Sequence, residues 1–175
     1  IVLVDNASRD GSPEFLEAWA AERDYVRFVP SAENLGFAGG NNLGARHASG
    51  DVLVFLNNDT YVTEGWLGDL MAHFRDDPRL GVLGAVTNNI GNEAKIDIDY
   101  ADMEEMAERA RAYTSARRGQ RLSLRAPAFF CAAIPRAVWE EVGPLDEGFE
   151  VGFFEDDDYA MRVRATGHHT ACAED

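Results

Sequence analysis

The fold of this chain is indicated by residues 51–59, which read Asp-Val-Leu-Val-Phe-Leu-Asn-Asn-Asp. Residues 52–56 are apolar without interruption, which predicts a short strand buried on both faces. Three polar residues, Asn57, Asn58 and Asp59, follow at once. A fully apolar strand that ends in polar side chains is typical of a parallel sheet between layers of helices, where ligands bind at the carboxyl ends of the strands.

The segments on either side repeat this alternation of strands and helices. Residues 1–4 form another apolar run, which ends in Asp5 and Asn6. A glycine-rich stretch at 34–40 predicts a turn, and Thr63 is the predicted N-cap of the third helix. We predict an α/β fold with a mostly parallel sheet flanked by helices. The other predicted strands are 25–29, 80–86, 126–134 and 169–173, the helices are 12–23, 41–49, 63–74, 102–113, 135–142 and 155–165, and 114–121 is a basic loop.

The length and charge of the chain limit what it can do. With 175 residues it is long enough for one domain, 1–175, with a substantial core. Its 31 acidic and 16 basic residues give a net charge of −15, so we expect no nucleic acid partner. No stretch approaches the roughly 18 apolar residues of a membrane span, so we expect no direct membrane insertion by this segment. Cys131 and Cys172 have no metal-ligand spacing and favour a reducing compartment.

The ends of the chain interrupt predicted elements. Residues 1–4 begin in the middle of an apolar strand, and the strand predicted at 169–173 stands just before the last residue. We therefore expect the natural protein to continue beyond both ends.

Polar side chains at the predicted strand ends are the first candidates for ligand contacts. Asp5 and Asn6 offer a carboxylate and an amide that can read the edge of a nucleobase, although they could also simply brace a turn. Asp59 offers one hard oxygen ligand beside the amides of Asn57 and Asn58, which suits Mg²⁺ or Mn²⁺ when a diphosphate completes the coordination. An Asx-rich turn is the alternative explanation of this second cluster.

Four consecutive acids open the helix predicted at 155–165. The helix dipole favours acids at this end, but it accounts for only one or two of them. Like charges this close raise one another's pKa, and a carboxylate in that setting can act as a general base toward a hydroxyl group. We expect Asp156 to be that base. Asp158 stands four residues before Arg162 and could instead form a structural ion pair.

Taken in chain order, five segments resemble the family 2 glycosyltransferases, which have the GT-A fold. Residues 4–12, Val-Asp-Asn-Ala-Ser-Arg-Asp-Gly-Ser, look like the family's base-binding strand end, and Asn57-Asn58-Asp59 stands where the family has its Asp-x-Asp metal motif. Residues 33–44, Glu-Asn-Leu-Gly-Phe-Ala-Gly-Gly-Asn-Asn-Leu-Gly, are similar to the family's rhamnosyl- and galactofuranosyl-transferring branch. Residues 142–149 look like its acceptor-side loop, and 154–162 like its Glu-Asp-x-Asp base motif.

The resemblance implies a role for each candidate residue. Residues in the first half of the chain would bind the donor, and the last predicted helix would carry the residue that accepts the proton. The implied nucleotide-sugar contacts are Asp5, Asn6, Gly39, Asn57 and Asn58, the metal ligand is Asp59, the catalytic base is Asp156, and the acceptor contacts are Glu155 and Asp158.

The resemblance also implies a reaction and a setting. It is the metal-dependent transfer of a sugar, with inversion, from a nucleotide-sugar donor to a hydroxyl of a glycan or lipid-linked glycan. The implied donor is a UDP- or dTDP-sugar, the cofactor Mn²⁺ or Mg²⁺, and the setting cell-surface polysaccharide synthesis in the cytoplasm, at the inner membrane face through parts outside this chain. Within the domain we expect a nucleotide-sugar-binding half, 1–86, a variable connection, 87–125, and an acceptor and catalytic half, 126–175.

Two other functions remain open on sequence grounds. A sugar-phosphate nucleotidylyltransferase shares the sheet type but needs a glycine-rich loop with basic residues near the amino terminus. A non-catalytic nucleotide-sugar or carbohydrate-binding module would keep the clusters at 5–6 and 57–59 without needing Asp156. One departure from the family also matters: Asn57 replaces the first Asp of the metal motif, which predicts a weaker metal affinity.

Overall fold

The structure, a computed structural model, describes residues 1–149 and 154–175. Strands and helices alternate in its first half, as the apolar pattern predicts. Within the described residues, no helix combines the length and the apolar composition needed to cross a membrane. The strands are β1 (Val2–Asp5), β2 (Arg27–Pro30), β3 (Val52–Leu56), β4 (Leu80–Ala85), β5 (Arg121–Ser123), β6 (Cys131–Pro135) and β7 (His169–Ala173). The helices are α1 (Ser12–Ala21), α2 (Gly36–His47), α3 (Trp66–Asp76), α4 (Met103–Ala116), α5 (Arg136–Val142) and α6 (Glu155–Ala165), with a 3₁₀ turn at Glu147–Phe149.

The strands form two groups rather than one continuous parallel sheet. Among the described strands, β1 and β2 make a parallel pair, and five others form a sheet in the order β3-β6-β4-β7-β5. Strands β3, β4 and β7 point the same way, but β5 runs antiparallel to β7 and β6 runs antiparallel to both of its neighbours, so the prediction of a mostly parallel sheet is wrong for the pairings of this sheet. However, β6 inserts antiparallel between the consecutive strands β3 and β4. Its first four residues are all buried, which suits a strand with neighbours on both sides.

The main core joins the sheet to helices α2, α5 and α6. Phe55 of β3 packs on Trp139 of α5 with ring centroids 5.2 Å apart, and Phe129 meets Tyr159 of α6 edge-on at 5.6 Å. Tyr159 and Val163 are fully buried in this core. Burial of the Val163 side chain contributes about 1.5 to 3 kcal/mol, whereas the gain from the Tyr159 ring is partly offset because its hydroxyl is buried without a partner in the described residues. The packing therefore fixes α6, including the acidic residues of its first turn, against the sheet.

The glycine-rich segment at 34–40 is largely helical, and the prediction of a turn there is wrong. Helix α2 begins at Gly36, although glycine is a poor helix former. Two side chains accept hydrogen bonds from the start of this helix: Leu35 N donates to Asn6 Oδ1 at 2.8 Å and Gly36 N to Asn34 Oδ1 at 3.0 Å. Asn6 lies on another segment of the chain, so this tertiary contact outweighs the preference of the glycines for a turn.

Two further differences lie at element ends. Thr63 is not the N-cap of α3, because the helix begins at Trp66 after Gly65, whose φ of 89° is a conformation that glycine tolerates best. Of the basic loop predicted at 114–121, residues 114–116 belong to α4 and Arg121 to the edge strand β5, and residues 117–120 form a turn. By contrast, α6 and β7 have the predicted bounds.

Candidate functional site

The carboxylate of Asp5 is buried at the end of β1. The residue is only 5% exposed, and its Oδ2 accepts a hydrogen bond from the backbone N–H of Ser8 at 3.2 Å. Between them, Ala7 has a φ of 64°, so the chain turns sharply directly after the strand. Asp5 thus stabilises the loop at the strand end, and its predicted contact with a base stays a prediction.

The amide of Asn6 is engaged by the segment that begins α2. Its Nδ2 donates to Asn34 Oδ1 at 3.0 Å and to the backbone oxygen of Gly36 at 2.9 Å. Its Oδ1 accepts from the N–H of Leu35. Both amide hydrogens are therefore used within the protein, which leaves one oxygen lone pair for a ligand. The structure assigns Asn6 the role of holding the start of α2, and the base contact predicted for it stays a prediction.

Gly39 lies buried inside α2, where packing requires a small residue. A Cβ placed there would stand 2.7 Å from the Cβ of Leu35 and 3.7 Å from Oε2 of Glu147. Real Cβ atoms do not approach other atoms as closely as the first distance, so a larger side chain would displace α2. This packing explains Gly39 without a ligand, and the predicted nucleotide-sugar contact is untested.

The turn after β3 presents the predicted metal cluster to solvent. The N–H of Asn57 donates to the backbone oxygen of Phe130 at 2.8 Å, which extends the pairing of β3 with β6 by one residue. Asn58 and Asp59 are exposed in the turn that follows. No group of three His, Cys, Asp or Glu suited to a metal occurs in the described part of the chain. One accessible carboxylate beside amide oxygens fits Mg²⁺ or Mn²⁺ when water and substrate oxygens supply the other ligands.

Asp156 occupies a partly buried position in the first turn of α6. Burial raises the pKa of its carboxyl group, the negative charge of Asp157 adds to this, and the N–H of Asp157, which donates to Asp156 Oδ1 at 2.9 Å, opposes it. The result is a carboxylate that binds a proton more readily than an ordinary aspartate. This is the property that a general base needs.

Glu155, directly before it, is a buried carboxylate without a hydrogen-bond partner in the described residues. It is 7% exposed, and its Oε2 contacts no donor there. A buried charged oxygen without a partner is costly, and such groups commonly lie in ligand sites. This oxygen is enclosed by the protein, and the acceptor contact predicted for Glu155 stays a prediction.

Asp158 is used inside the protein. Its Oδ2 accepts from Arg162 Nε at 2.8 Å, and the same guanidinium donates to the backbone oxygens of Val142 at 3.1 Å and Pro144 at 3.0 Å. Asp158 therefore orients the arginine that ties α6 to the end of α5. The ion pair with Arg162 therefore explains why an acid stands at position 158. The acceptor contact predicted for Asp158 stays a prediction.

Asn42 is a residue that the sequence analysis missed. It is 2% exposed, and its side chain exchanges hydrogen bonds with the backbone of Leu145, at 2.9 and 3.0 Å, and donates to Glu147 Oε1 at 2.8 Å. No local signal marks it, because its partners lie 103 and 105 residues further along the chain. These contacts attach the predicted acceptor-side loop to α2. Residues 150–153, which follow this loop, lie outside the described residues.

Comparison with known proteins gives a family match over most of the chain. The sequence model of glycosyl transferase family 2 matches residues 1–143. The chain is 38% identical over 82 residues to polypeptide N-acetylgalactosaminyltransferase 11 of Xenopus tropicalis, covering 45% of the chain and 14% of that protein. It is 32% identical over 110 residues to poly-beta-1,6-N-acetyl-D-glucosamine synthase of Staphylococcus aureus (strain COL), covering 59% of the chain and 26% of that protein. The chain thus spans about a quarter or less of the length of these relatives.

Solved structures share the fold over nearly the whole chain. One is the mannosyltransferase PcManGT from Pyrobaculum calidifontis, in complex with GDP-Man and Mn²⁺, with a TM-score of 0.67 at 20% identity. The match covers 99% of this chain and 47% of the PcManGT chain. Another is GalNAc-T7 with UDP, GalNAc and Mn²⁺, with a TM-score of 0.75 at 18% identity. This match covers 99% of this chain and 36% of the GalNAc-T7 chain. At these identities the likeness concerns the fold alone, and it confirms the predicted GT-A fold.

Proposed function

This chain belongs to glycosyl transferase family 2, and on that premise we propose that it transfers a sugar from a nucleotide-sugar donor to a hydroxyl group of a glycan or lipid-linked glycan. The observation that carries the proposal is the first turn of α6. There Asp156 holds a partly buried carboxylate of raised pKa, next to the unpartnered buried oxygen of Glu155. A partly buried carboxylate that binds a proton readily is what activation of an acceptor hydroxyl requires.

The proposed reaction is a single displacement with inversion at the anomeric carbon. Asp156 takes the proton of the acceptor hydroxyl as its oxygen attacks C1 of the sugar. The new C1–O bond forms while the bond from C1 to the diphosphate oxygen breaks, and the nucleoside diphosphate leaves with that electron pair. Attack opposite the leaving group inverts C1. Glu155 binds and orients the acceptor in this scheme, and Asp158 supports the first turn of α6 through Arg162.

The proposed donor site lies at the ends of β1 and β3. Asp5, Asn6, Asn57 and Asn58 contact the nucleotide, together with Gly39 in α2, and Asp59 holds Mn²⁺ or Mg²⁺ through its exposed carboxylate. The metal, when bound, offsets the negative charge of the leaving diphosphate. Mn²⁺ in the PcManGT and GalNAc-T7 structures supports a divalent cation.

The identity of the donor and the setting are proposed from the relatives and from the segment 33–44. UDP in the structure of GalNAc-T7 supports a UDP- or dTDP-sugar, GDP-Man in that of PcManGT supports a GDP-sugar as the alternative, and the segment 33–44 supports rhamnosyl or galactofuranosyl transfer. The relationship to a poly-N-acetylglucosamine synthase supports a role in cell-surface polysaccharide synthesis. We place this reaction on the cytoplasmic side of the membrane.

A thermal-shift panel tests the donor site. UDP, GDP, dTDP and CDP are each added with Mn²⁺, with Mg²⁺ and with EDTA. A nucleotide at a hundredfold excess over its Kd should stabilise the folded chain by about 2.7 kcal/mol. One nucleotide that stabilises only with metal supports the proposal and identifies the base. Absence of a shift with every nucleotide in the intact protein contradicts it, and binding without any sugar transfer identifies a binding module.

A further inference from the structure

Lys95 is the only lysine of the chain and the only basic residue from position 80 to position 108. Its side chain is exposed, and none of the ion pairs in the described part of the chain involves it. This holds even though Glu93 and Asp97 stand two positions away on either side. The ammonium group of Lys95 is therefore available to an anion from outside the chain.

The backbone at Lys95 is fixed on the end of β4. Lys95 pairs with Thr87, which follows that strand, and the pairing rests on two hydrogen bonds. Thr87 N donates to Ala94 O at 3.0 Å, and Ile96 N donates to Thr87 O at 2.9 Å. Ala94 is only 1% exposed and belongs to a small core with Leu124. The fold thus sets the place of Lys95, although its side chain lies on the surface.

Strand pairing puts this backbone at the level of the predicted metal cluster. Phe55 of β3 and Gly84 of β4 both lie opposite Ala132 of β6. Thr87, three residues beyond Gly84, is therefore level with Asn58, three residues beyond Phe55. Because β6 lies between them, β3 and β4 are two strand spacings apart, which is about 10 Å.

The hydrogen bonds show on which side of β4 the paired segment lies. Val86 N donates to Ala173 O of β7, so the next residue, Thr87, directs its backbone groups to the other side of β4. That side faces β6 and, beyond β6, strand β3. Residues 94–96 therefore lie between the end of β4 and the turn that carries Asp59.

The charges around this place favour a phosphate ligand for Lys95. The turn that carries Asp59 has no basic residue of its own, since none occurs from position 48 to position 72. A diphosphate bound there adds negative charge beside a carboxylate, in a chain whose net charge is −15. One divalent cation offsets only part of that charge. A lysine ammonium group is a compact cation on a flexible stem and a common ligand of phosphate.

We propose that Lys95 binds the diphosphate of the nucleotide-sugar donor, on the β4 side of the site and across from Asp59. The inference rests on the proposed function, because it adds a protein cation to the donor site of that reaction. The ammonium group donates hydrogen bonds to phosphate oxygens. As the bond from C1 of the sugar to the diphosphate oxygen breaks, it offsets the charge that the leaving nucleoside diphosphate retains.

A labelling experiment on the intact protein tests this contact directly. Sulfo-N-hydroxysuccinimide acetate acetylates accessible amines, and peptide mass spectrometry measures the acetylated fraction at Lys95. The probes are UDP, GDP, dTDP and CDP, the corresponding nucleosides and inorganic pyrophosphate, each with Mn²⁺. The nucleotide that stabilises the protein in the thermal-shift panel, at a tenfold excess over its Kd, should slow acetylation of Lys95 by about tenfold. The matching nucleoside, which has no phosphate, should leave the rate unchanged.

Substitutions at position 95 test the charge. Lys95→Gln should raise the Kd of that nucleoside diphosphate by about tenfold, the effect of losing one hydrogen bond to a charged group. Lys95→Arg keeps the charge and should stay within about threefold of the wild type. The matched control is Arg75→Gln, which removes one charge from an exposed residue at the other end of the sheet, in the last turn of α3. It should change the Kd by less than about twofold, because charges that far apart are screened by salt.

The outcomes separate this inference from the proposed function. If a nucleotide binds but leaves the acetylation of Lys95 unchanged, or if Lys95→Gln and Arg75→Gln bind it equally well, the inference is overturned and the donor site stands. If no nucleotide binds and pyrophosphate still protects Lys95, the residue is a diphosphate ligand and the proposed function fails. If neither nucleotides nor pyrophosphate slow the acetylation, both are overturned.

Discussion

At Asp156, a single carboxylate combines partial burial with an acidic neighbour, and both raise its pKa. Asp156→Asn removes the proton acceptor but keeps the shape of the side chain. We expect kcat to fall by about 10² to 10⁴-fold, the usual contribution of a general base, while nucleotide affinity is unchanged. Steady-state kinetics and a nucleotide titration on the same preparation check this. The matched control is Asp157→Asn, an exposed acid one position further, which should retain more than about a third of the activity; equal losses in both variants would refute the assignment.

The raised pKa of Asp156 also predicts a pH dependence. Because the base acts only when deprotonated, kcat/KM should fall on acidification, with a midpoint above the 3.8 of an ordinary aspartate. Stability should respond in the same range. The folded pKa exceeds the unfolded one, so the group's stabilisation is complete below the unfolded pKa and is lost as pH rises through the folded pKa. Asp156→Asn should therefore melt at a higher temperature than the wild type at pH 7, and the difference should disappear near pH 3; the opposite sign would contradict the raised pKa.

At the scale of elements, β4 depends on two glycines that allow its neighbours to approach. Added to Gly81, a Cβ would stand 2.5 Å from Cγ1 of Val163 in α6 and 2.8 Å from Cβ of His168. At Gly84 it would stand 2.7 Å from Cβ of Pro127. The sheet thus meets α6 along a face with no room for a methyl group, and this contact helps to set the position of the helix that carries Asp156.

Gly81→Ala should consequently destabilise the fold. Overpacking of this kind costs about 1 to 3 kcal/mol, and it should also lower activity because α6 is pushed from the sheet. Gly68→Ala is the control: Gly68 lies in α3 with open space around its Cα, and alanine there should stabilise the helix by about 0.5 to 1 kcal/mol. Urea unfolding of the two variants measures both effects. If Gly81→Ala is as stable as the wild type, the close contact between β4 and α6 is not rigid.

At the scale of the whole molecule, no metal-binding group of three His, Cys, Asp or Glu lies within residues 1–149 and 154–175, although the chain carries a net charge of −15. In the proposed function Asp59 is the single protein carboxylate on the cation, and substrate oxygens supply further ligands. We expect EDTA to leave the Tm of the unliganded protein unchanged and to abolish the stabilisation by nucleotide. Asp59→Ala should reproduce the effect of EDTA on the nucleotide shift without lowering the Tm of the unliganded protein, since Asp59 is exposed. A fall in the unliganded Tm with EDTA would reveal a structural metal instead.

Local patterns predicted those parts of the fold that depend on neighbours in sequence. The bounds of α6 follow from acids at its start and Gly167 after its end. Asp102 is the N-cap of α4, where its Oδ1 accepts from the N–H of Glu105 at 2.9 Å. The start of α2 could not be predicted in this way, because Asn6, from another segment, overrides the turn preference of the glycines.

The sequence by itself determined the α/β class, the polar groups at the ends of β1 and β3, and the acidic start of α6, since each depends on the order of apolar and polar residues within a few positions. The tertiary structure alone decided that β6 separates β3 from β4, that Asn6 and Asp158 are bonded within the protein, and that Asn42 holds Leu145 and Glu147. The physical reason is the range of the interactions. Helix periodicity and capping act over about four residues, whereas strand order and buried hydrogen bonds depend on which distant segments fill the same space once the core has formed.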